Sequence, residues 1–288
     1  MHAPISVIIV HHNKLPYSRL CLESLLASDP LPTQILCIDN GSTDGTREYL
    51  GEQFPSLAAE RGLRYELVAN DSNVGACTAR NQGLERAGEP LVAFCDNDLV
   101  TRSRNWLGTL QESLSQEAKN GIVGPKLVYP FEPYNIECAG AAISRTGRVQ
   151  YRGRGAAIDT PAFNVDCEVQ CLISACWLMK REITEALGGL DEVFNPAQFE
   201  DFDLCYRARE QGWRVLYTPR AEMYHFENTT TARSGGMAFK RTTIRNGLEF
   251  KRRWRHRFEQ EDGPADEDCK WADLETRPLE ATGVPPLL

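Results

Sequence analysis

Asp96-Asn97-Asp98 sets two carboxylates one residue apart, directly after the apolar run Leu91-Val92-Ala93-Phe94-Cys95. Carboxylates so spaced at a strand end can share a hard divalent cation that keeps waters and takes diphosphate oxygens. Such a cation would neutralise charge building on a departing diphosphate. Glu200-Asp201-Phe202-Asp203 is a second acidic group, at the start of a helical segment. Helix-dipole stabilisation explains one acid there, not three within four residues. One of them could be a general base for an attacking hydroxyl. His225 follows an apolar run and becomes a candidate metal ligand because Asp98 offers it a site. Asp39 ends the run Ile35-Leu36-Cys37-Ile38. It could accept a hydrogen bond from a base or ribose hydroxyl, or cap a turn together with Ser42. His11, His12 and Asn13 end the first apolar run and could line the same crevice. Arg80 could meet phosphate or base, or could be a solvated helix charge.

The elements that must position these residues follow from periodicity. Short apolar runs at 6–10, 35–38, 65–68 and 91–95 predict strands. Helical spacing predicts helices over 16–28 and 76–87. Strands alternating with helices imply βαβ units and a parallel sheet, with ligands beyond the strands' carboxyl ends. Asp39 and Asp96 occupy that position on two strands. The second half predicts a helix over 105–118, strands over 121–128, 136–144, 169–179 and 213–217, and helices over 180–187 and 201–211. The fold class expected is α/β: a Rossmann-like nucleotide-binding half joined to a mixed α+β half around one central sheet. Residues 1–100 form the first half, 101–235 the second, and 236–258 a basic helix, together one domain over 1–258. The acidic, Pro-containing stretch 259–288 is expected to be flexible.

A net charge of −8 argues against nucleic-acid binding. Ten cysteines without a Cys-x-x-Cys pair argue against a zinc ribbon, and their apolar settings predict reduced, buried thiols and a cytoplasmic location. No signal peptide is evident, and no run of about 18 apolar residues predicts a membrane span. The basic helix could touch an anionic acceptor or a membrane surface as a peripheral contact, or be a solvated helix balanced by the acidic stretch that follows it.

Taken in order, Val7-Ile8-Ile9-Val10-His11-His12-Asn13, Ile38-Asp39-Asn40-Gly41-Ser42-Thr43-Asp44-Gly45, Asn73-Val74-Gly75 with Ala79-Arg80-Asn81-Gln82-Gly83, Asp96-Asn97-Asp98 and Gly189 through Arg207 resemble family 2 glycosyltransferases of the GT-A fold. The resemblance runs over about 5–230, and the second half is similar to the bacterial rhamnosyltransferase-type branch. It implies an inverting transfer from a pyrimidine nucleotide-sugar, UDP- or dTDP-linked, to a saccharide or lipid-linked acceptor with Mg2+ or Mn2+. It implies that His11 and Asp39 contact the nucleoside, and it adds Asn13, Asn73 and Arg80 to the nucleotide-sugar site. Asp96 would meet ribose or diphosphate, Asp98 the metal, and His225 would complete the metal site. Asp201 would be the base, with Glu200 as the fallback. The family's first strand usually ends in a Thr-Tyr-Asn-like segment, where this chain has His11-His12-Asn13. The alternatives are a sugar-nucleotide nucleotidyltransferase, which would need a glycine-rich loop after the first strand, and a non-catalytic nucleotide-sugar-binding module.

Overall fold

A computed structural model describes residues 2–227 and 237–288. Residues 228–236, which include the expected 235/236 boundary and the end of the resemblance at 230, lie outside the described residues.

The first half follows the expected alternation. Strand β1 (Ile5–His11) leads to helix α1 (Leu15–Leu26), then β2 (Gln34–Asn40). A helical stretch follows, from α2 (Thr46–Glu48) through a π-turn to α3 (Phe54–Glu60). Then come β3 (Arg64–Asn70), α4 (Ala76–Arg86) and β4 (Leu91–Asp96). Strands β1 to β4 pair in parallel in the order β3-β2-β1-β4. Nearly every residue of β1, β2 and β4 is buried, which suits strands covered on both faces.

The second half extends the same sheet. After the short β5 (Leu99–Thr101) and α5 (Trp106–Ser115) comes β6 (Asn120–Val128). The run expected as one strand over 136–144 is two, β7 (Ile136–Cys138) and β8 (Ala141–Ile143). Gly140, at φ 84°, turns the chain between them. β8 pairs with β9 (Val149–Tyr151) as a separate hairpin. The strand expected over 169–179 is reduced to β10 (Cys167–Glu168) and β11 (Cys176–Lys180). The chain between them includes Ile173, Ser174 and Ala175, which face a cleft. Helices α6 (Arg181–Leu187) and α7 (Glu200–Glu210) precede β12 (Arg214–His225), which runs eight residues past the far end of its apolar core 213–217. β11 sits antiparallel between β4 and β6, and β12 parallel to β6, so the sheet crosses residue 100 without a break. Helix α8 (Met237–Phe258) buries Asn246, Phe250, Trp254 and Phe258 against the body.

Residues 259–288, expected to be flexible, make several contacts with the body. Tyr206 and Arg209 donate to Glu261 at 3.0 and 2.8 Å, Thr146 donates to Asp266 at 2.8 Å, and the Leu279 amide donates to the Tyr17 hydroxyl at 3.0 Å. The tail's acids carry the composition bias read as disorder, but they meet partners on the body that composition does not reveal.

Candidate active site

The chain order reverses around β1, whose neighbours are β2 and β4. Ligands in open α/β sheets sit at such a switch point, beyond the strands' carboxyl ends. A cleft of about 660 Å³ opens there, with Arg80, Asp96, Asp98, Asp201 and His225 on its walls.

Asp96 is the last residue of β4, and Asn97 and Asp98 form the turn into β5. β5 pairs antiparallel with the end of β12, setting Leu99 opposite His225. That pairing carries the imidazole to the acidic turn across more than a hundred residues of sequence. His225 Nε2 lies 3.3 Å from Asp98 Oδ1, and one ligand atom from each of Asp96, Asp98 and His225 falls within 4.8 Å of the others. His225 Nδ1 donates to Glu137 Oε2 at 2.8 Å. Burial opposes charge on the ring, yet the Glu137 and Asp98 carboxylates raise its pKa well above the ordinary range. Two carboxylate oxygens and one imidazole nitrogen are a fitting donor set for Mn2+ or Mg2+. The cation would take the place of the Nε2 proton, leaving Nδ1–H on Glu137.

Arg80 comes from α4, whose N-cap is Gly75. At φ 89° with the Asn195 side chain 2.0 Å from where a Cβ would stand, this position needs glycine. Arg80 is buried and joins two acids: Nη2 donates to Asp96 at 2.7 Å and Nη1 to Glu200 at 3.1 Å. Burial pushes Asp96 and Glu200 up, while Arg80 pulls both down.

Glu200 and Asp201 open α7 and diverge around it, as a helical turn requires. Glu200 turns to Arg80, whereas Asp201 accepts from the Ser174 amide at 3.2 Å and the Phe202 amide at 2.8 Å. Burial, followed by the Glu200 charge, pushes the Asp201 carboxyl up to about 7. A carboxylate poised near neutral pH suits a general base. The third acid, Asp203, is structural: it is fully buried and receives Arg207, Arg253 and the Trp254 indole N–H.

The nucleoside candidates do not all reach the cleft. His11 is fully buried beneath it against Ser18, 2.9 Å from Nδ1, and burial pulls its pKa down to about 4. The residue on the cleft wall is His12, one position on, whose Nδ1 donates to the Asn40 carbonyl at 2.9 Å. The expected nucleoside contact was His11: at the end of a strand, consecutive side chains take opposite sides, and His11 takes the side covered by α1. Asp39 is also fully buried. It accepts from Arg47 Nε at 2.7 Å and from the Ser42 amide, and it is not part of the cleft wall. Asn13 cross-links two loops, its Oδ1 accepting from the Thr43 amide at 2.8 Å, and is likewise off the wall. Asn73 is on the wall and accepts from Asn40 Nδ2 at 3.0 Å. Its loop can approach Asn40 because Gly41 leaves room; a Cβ there would stand 2.8 Å from the Asn73 amide nitrogen. His12 and Asn40 stood inside motifs already singled out. Glu137, in a short buried strand, carries no local signal of its role.

A sheet of this order with an acidic turn after β4 is the architecture of GT-A glycosyltransferases. Among solved structures, GalNAc-T7 with UDP, GalNAc and Mn2+ superposes at TM-score 0.64 with 18% identity, covering 78% of this chain and 44% of that one. The mannosyltransferase PcManGT from Pyrobaculum calidifontis, with GDP-Man and Mn2+, also superposes at 0.64 with 17% identity, covering 88% and 65%. Residues 6–188 match the sequence profile of "Glycosyl transferase family 2", and the chain belongs to that family. An uncharacterized protein, y4gI, of Sinorhizobium fredii is 30% identical over 87% of this chain and 27% of its own length. The O-antigen biosynthesis protein RfbC of Myxococcus xanthus is 28% identical over 78% of this chain and 17% of its own. The chain thus spans about a quarter or less of these two relatives. The N-acetylglucosaminyl-diphospho-decaprenol L-rhamnosyltransferase of Mycobacterium tuberculosis is 27% identical over 80% of this chain and 78% of its own.

Proposed function

We propose that this chain transfers a sugar, with inversion, from a pyrimidine nucleotide-sugar to an acceptor hydroxyl, with a divalent metal, in bacterial polysaccharide or glycoconjugate assembly. The observation that carries this reading is the meeting, in one cleft, of Asp96, Asp98 and His225 with Asp201 raised to about 7. Family membership speaks for it over a nucleotidyltransferase or a non-catalytic module.

Asp98 and His225 would hold Mn2+ or Mg2+, and Asp96 would meet ribose or diphosphate. When bound, the cation stabilises negative charge on the leaving diphosphate. Arg80 fixes Asp96 and Glu200 relative to each other. The Asp201 carboxylate takes the proton from the acceptor hydroxyl as that oxygen's electron pair attacks the anomeric carbon. The bond from that carbon to the phosphate oxygen breaks on the opposite face, and its electrons leave with the nucleoside diphosphate. His12, Asn40 and Asn73 line the adjoining wall and bind the nucleotide, with Asp39 and Asn13 bracing the loops behind them.

The acceptor is a saccharide or a lipid-linked saccharide. No described helix is long and apolar enough to cross a membrane. Contact with a membrane is peripheral, through α8, where Ile244 and Leu248, each 63% exposed, share a face with Arg241, Arg245 and Arg252.

Purified protein incubated with a panel of nucleotide-sugars tests the reading. Release of UDP or dTDP in Mn2+ or Mg2+, and none in EDTA or in Asp98→Ala, is expected. Release that ignores chelator and variant alike would overturn it.

A further inference from the structure

Trp271 lies beyond the family match, yet it lines the same cleft as Asp201. Its indole is 53% exposed and held from behind. The Arg154 guanidinium carbon stands 3.9 Å from the ring centroid, and Arg154 Nε donates to the Ala272 carbonyl at 3.2 Å. Arg154 is itself fixed by a buried, two-pronged pair with Glu227 at 3.0 and 3.1 Å. Tyr151 of β9 meets the indole edge-on with centroids 5.2 Å apart, and Gln150 Nε2 donates to the Asp268 carbonyl at 3.0 Å. An indole gains most from burial, so one pinned in place with half its surface open is arranged to be covered by something else.

We propose that Trp271 and Tyr151 form the acceptor subsite, and that the group stacked there is a pyranose ring. A pyranose offers a flat C–H face to the electron-rich face of an indole and hydroxyls to a polar rim. The rim is present in Asp201, with Glu227 on the wall beside it. Tyr151, Trp271 and Asp201 line one cleft, so a ring on this platform shares it with the base. The Asp201 charge adds to burial in raising the Tyr151 phenol pKa. An isoprenoid chain would cover the Asp201 carboxyl without offering it a hydrogen bond. A free anion would find Arg154 already paired. The inference rests on the glycosyl-transfer reading and names the acceptor class for its site.

The test uses the intact chain with UDP and Mn2+. The probes are the methyl pyranosides of glucose, galactose, mannose, rhamnose and N-acetylglucosamine, with octyl glucoside beside them, followed by saturation-transfer NMR. At least one methyl pyranoside should receive saturation on its ring C–H protons. Trp271→Phe keeps a ring face and should keep the signal. Trp271→Leu keeps apolar bulk for anchoring the tail but should weaken apparent affinity about tenfold. UDP affinity by calorimetry should match wild type in both variants. Absence of pyranoside binding, equal binding in Trp271→Leu, or saturation confined to the alkyl chain of octyl glucoside would each overturn the proposal. Trp271-dependent pyranoside binding in a protein that ignores UDP would retire the glycosyl-transfer reading and leave the platform standing.

Discussion

The imidazole of His225 is held by Glu137, whose buried carboxylate accepts the Nδ1 proton at 2.8 Å and turns Nε2 toward Asp98. Carboxylates behind metal-binding histidines fix the tautomer and the ring, and their loss commonly costs about 10–100-fold in metal affinity. Glu137→Ala should lower Mn2+ affinity by that factor. Glu137→Gln, which still accepts the proton but carries no charge, should fall between. Direct titration of free Mn2+ by electron paramagnetic resonance measures both, and unchanged affinity in Glu137→Ala would assign the residue to packing alone.

As the proposed base, Asp201 should make rate depend on pH with a definite sign. A base works only when deprotonated, and this carboxyl is pushed up to about 7. Below that pH, kcat/KM should fall about tenfold per unit, and above it should level off. Asp201→Asn should slow transfer roughly 10²–10⁴-fold and abolish this limb, while UDP and Mn2+ still bind. Wild-type turnover with a lowered melting temperature would reduce Asp201 to a bond that steadies the start of α7.

His11 and His12 should separate stability from binding. His11→Ala takes one of two buried partners from the Ser18 hydroxyl, which keeps Asn97 Nδ2 at 3.0 Å, and should cost about 1 kcal/mol of stability. His12→Ala should leave the melting temperature nearly unchanged and weaken UDP binding. Calorimetry paired with thermal denaturation decides it, and the opposite pattern would return the nucleoside contact to His11.

Ile244 and Leu248 project from α8 on the side opposite the fully buried Asn246 and Phe250. Anionic vesicles should pull the protein down in co-sedimentation at low salt. Ile244→Asp with Leu248→Asp should abolish this, with turnover on soluble acceptors preserved. Equal recovery of wild type and double variant would remove the membrane from the account.

Much of this arrangement was legible in the order of the residues. Apolar runs ending in acids placed β2 and β4, because a strand covered on both faces must be apolar and its end must turn polar at the crevice. The acidic turn at 96–98 reached the cleft for that reason, and the pair at 200–201 was marked by three acids crowding one helix start. Which side a strand-end residue takes was not legible, since a shift of one position swaps faces. Hence His12, not His11, faces the cleft. Glu137 stayed hidden because its role depends on β7 lying beside β6 and on β12 arriving from far along the chain. The contacts of the tail were not legible because Glu261 and Asp266 gain their partners only from tertiary contact.

The antiparallel β11 closes the edge that β4 would otherwise present. Cut the chain near residue 100, and the buried segment Leu91–Cys95 becomes a bare, sticky border with unmet amide and carbonyl groups. His225 would go with the removed portion, leaving the acidic turn without the imidazole that faces it. The first half is therefore no portable cassette. A longer polypeptide that carries this catalyst must carry the whole ten-stranded sheet as one inherited block.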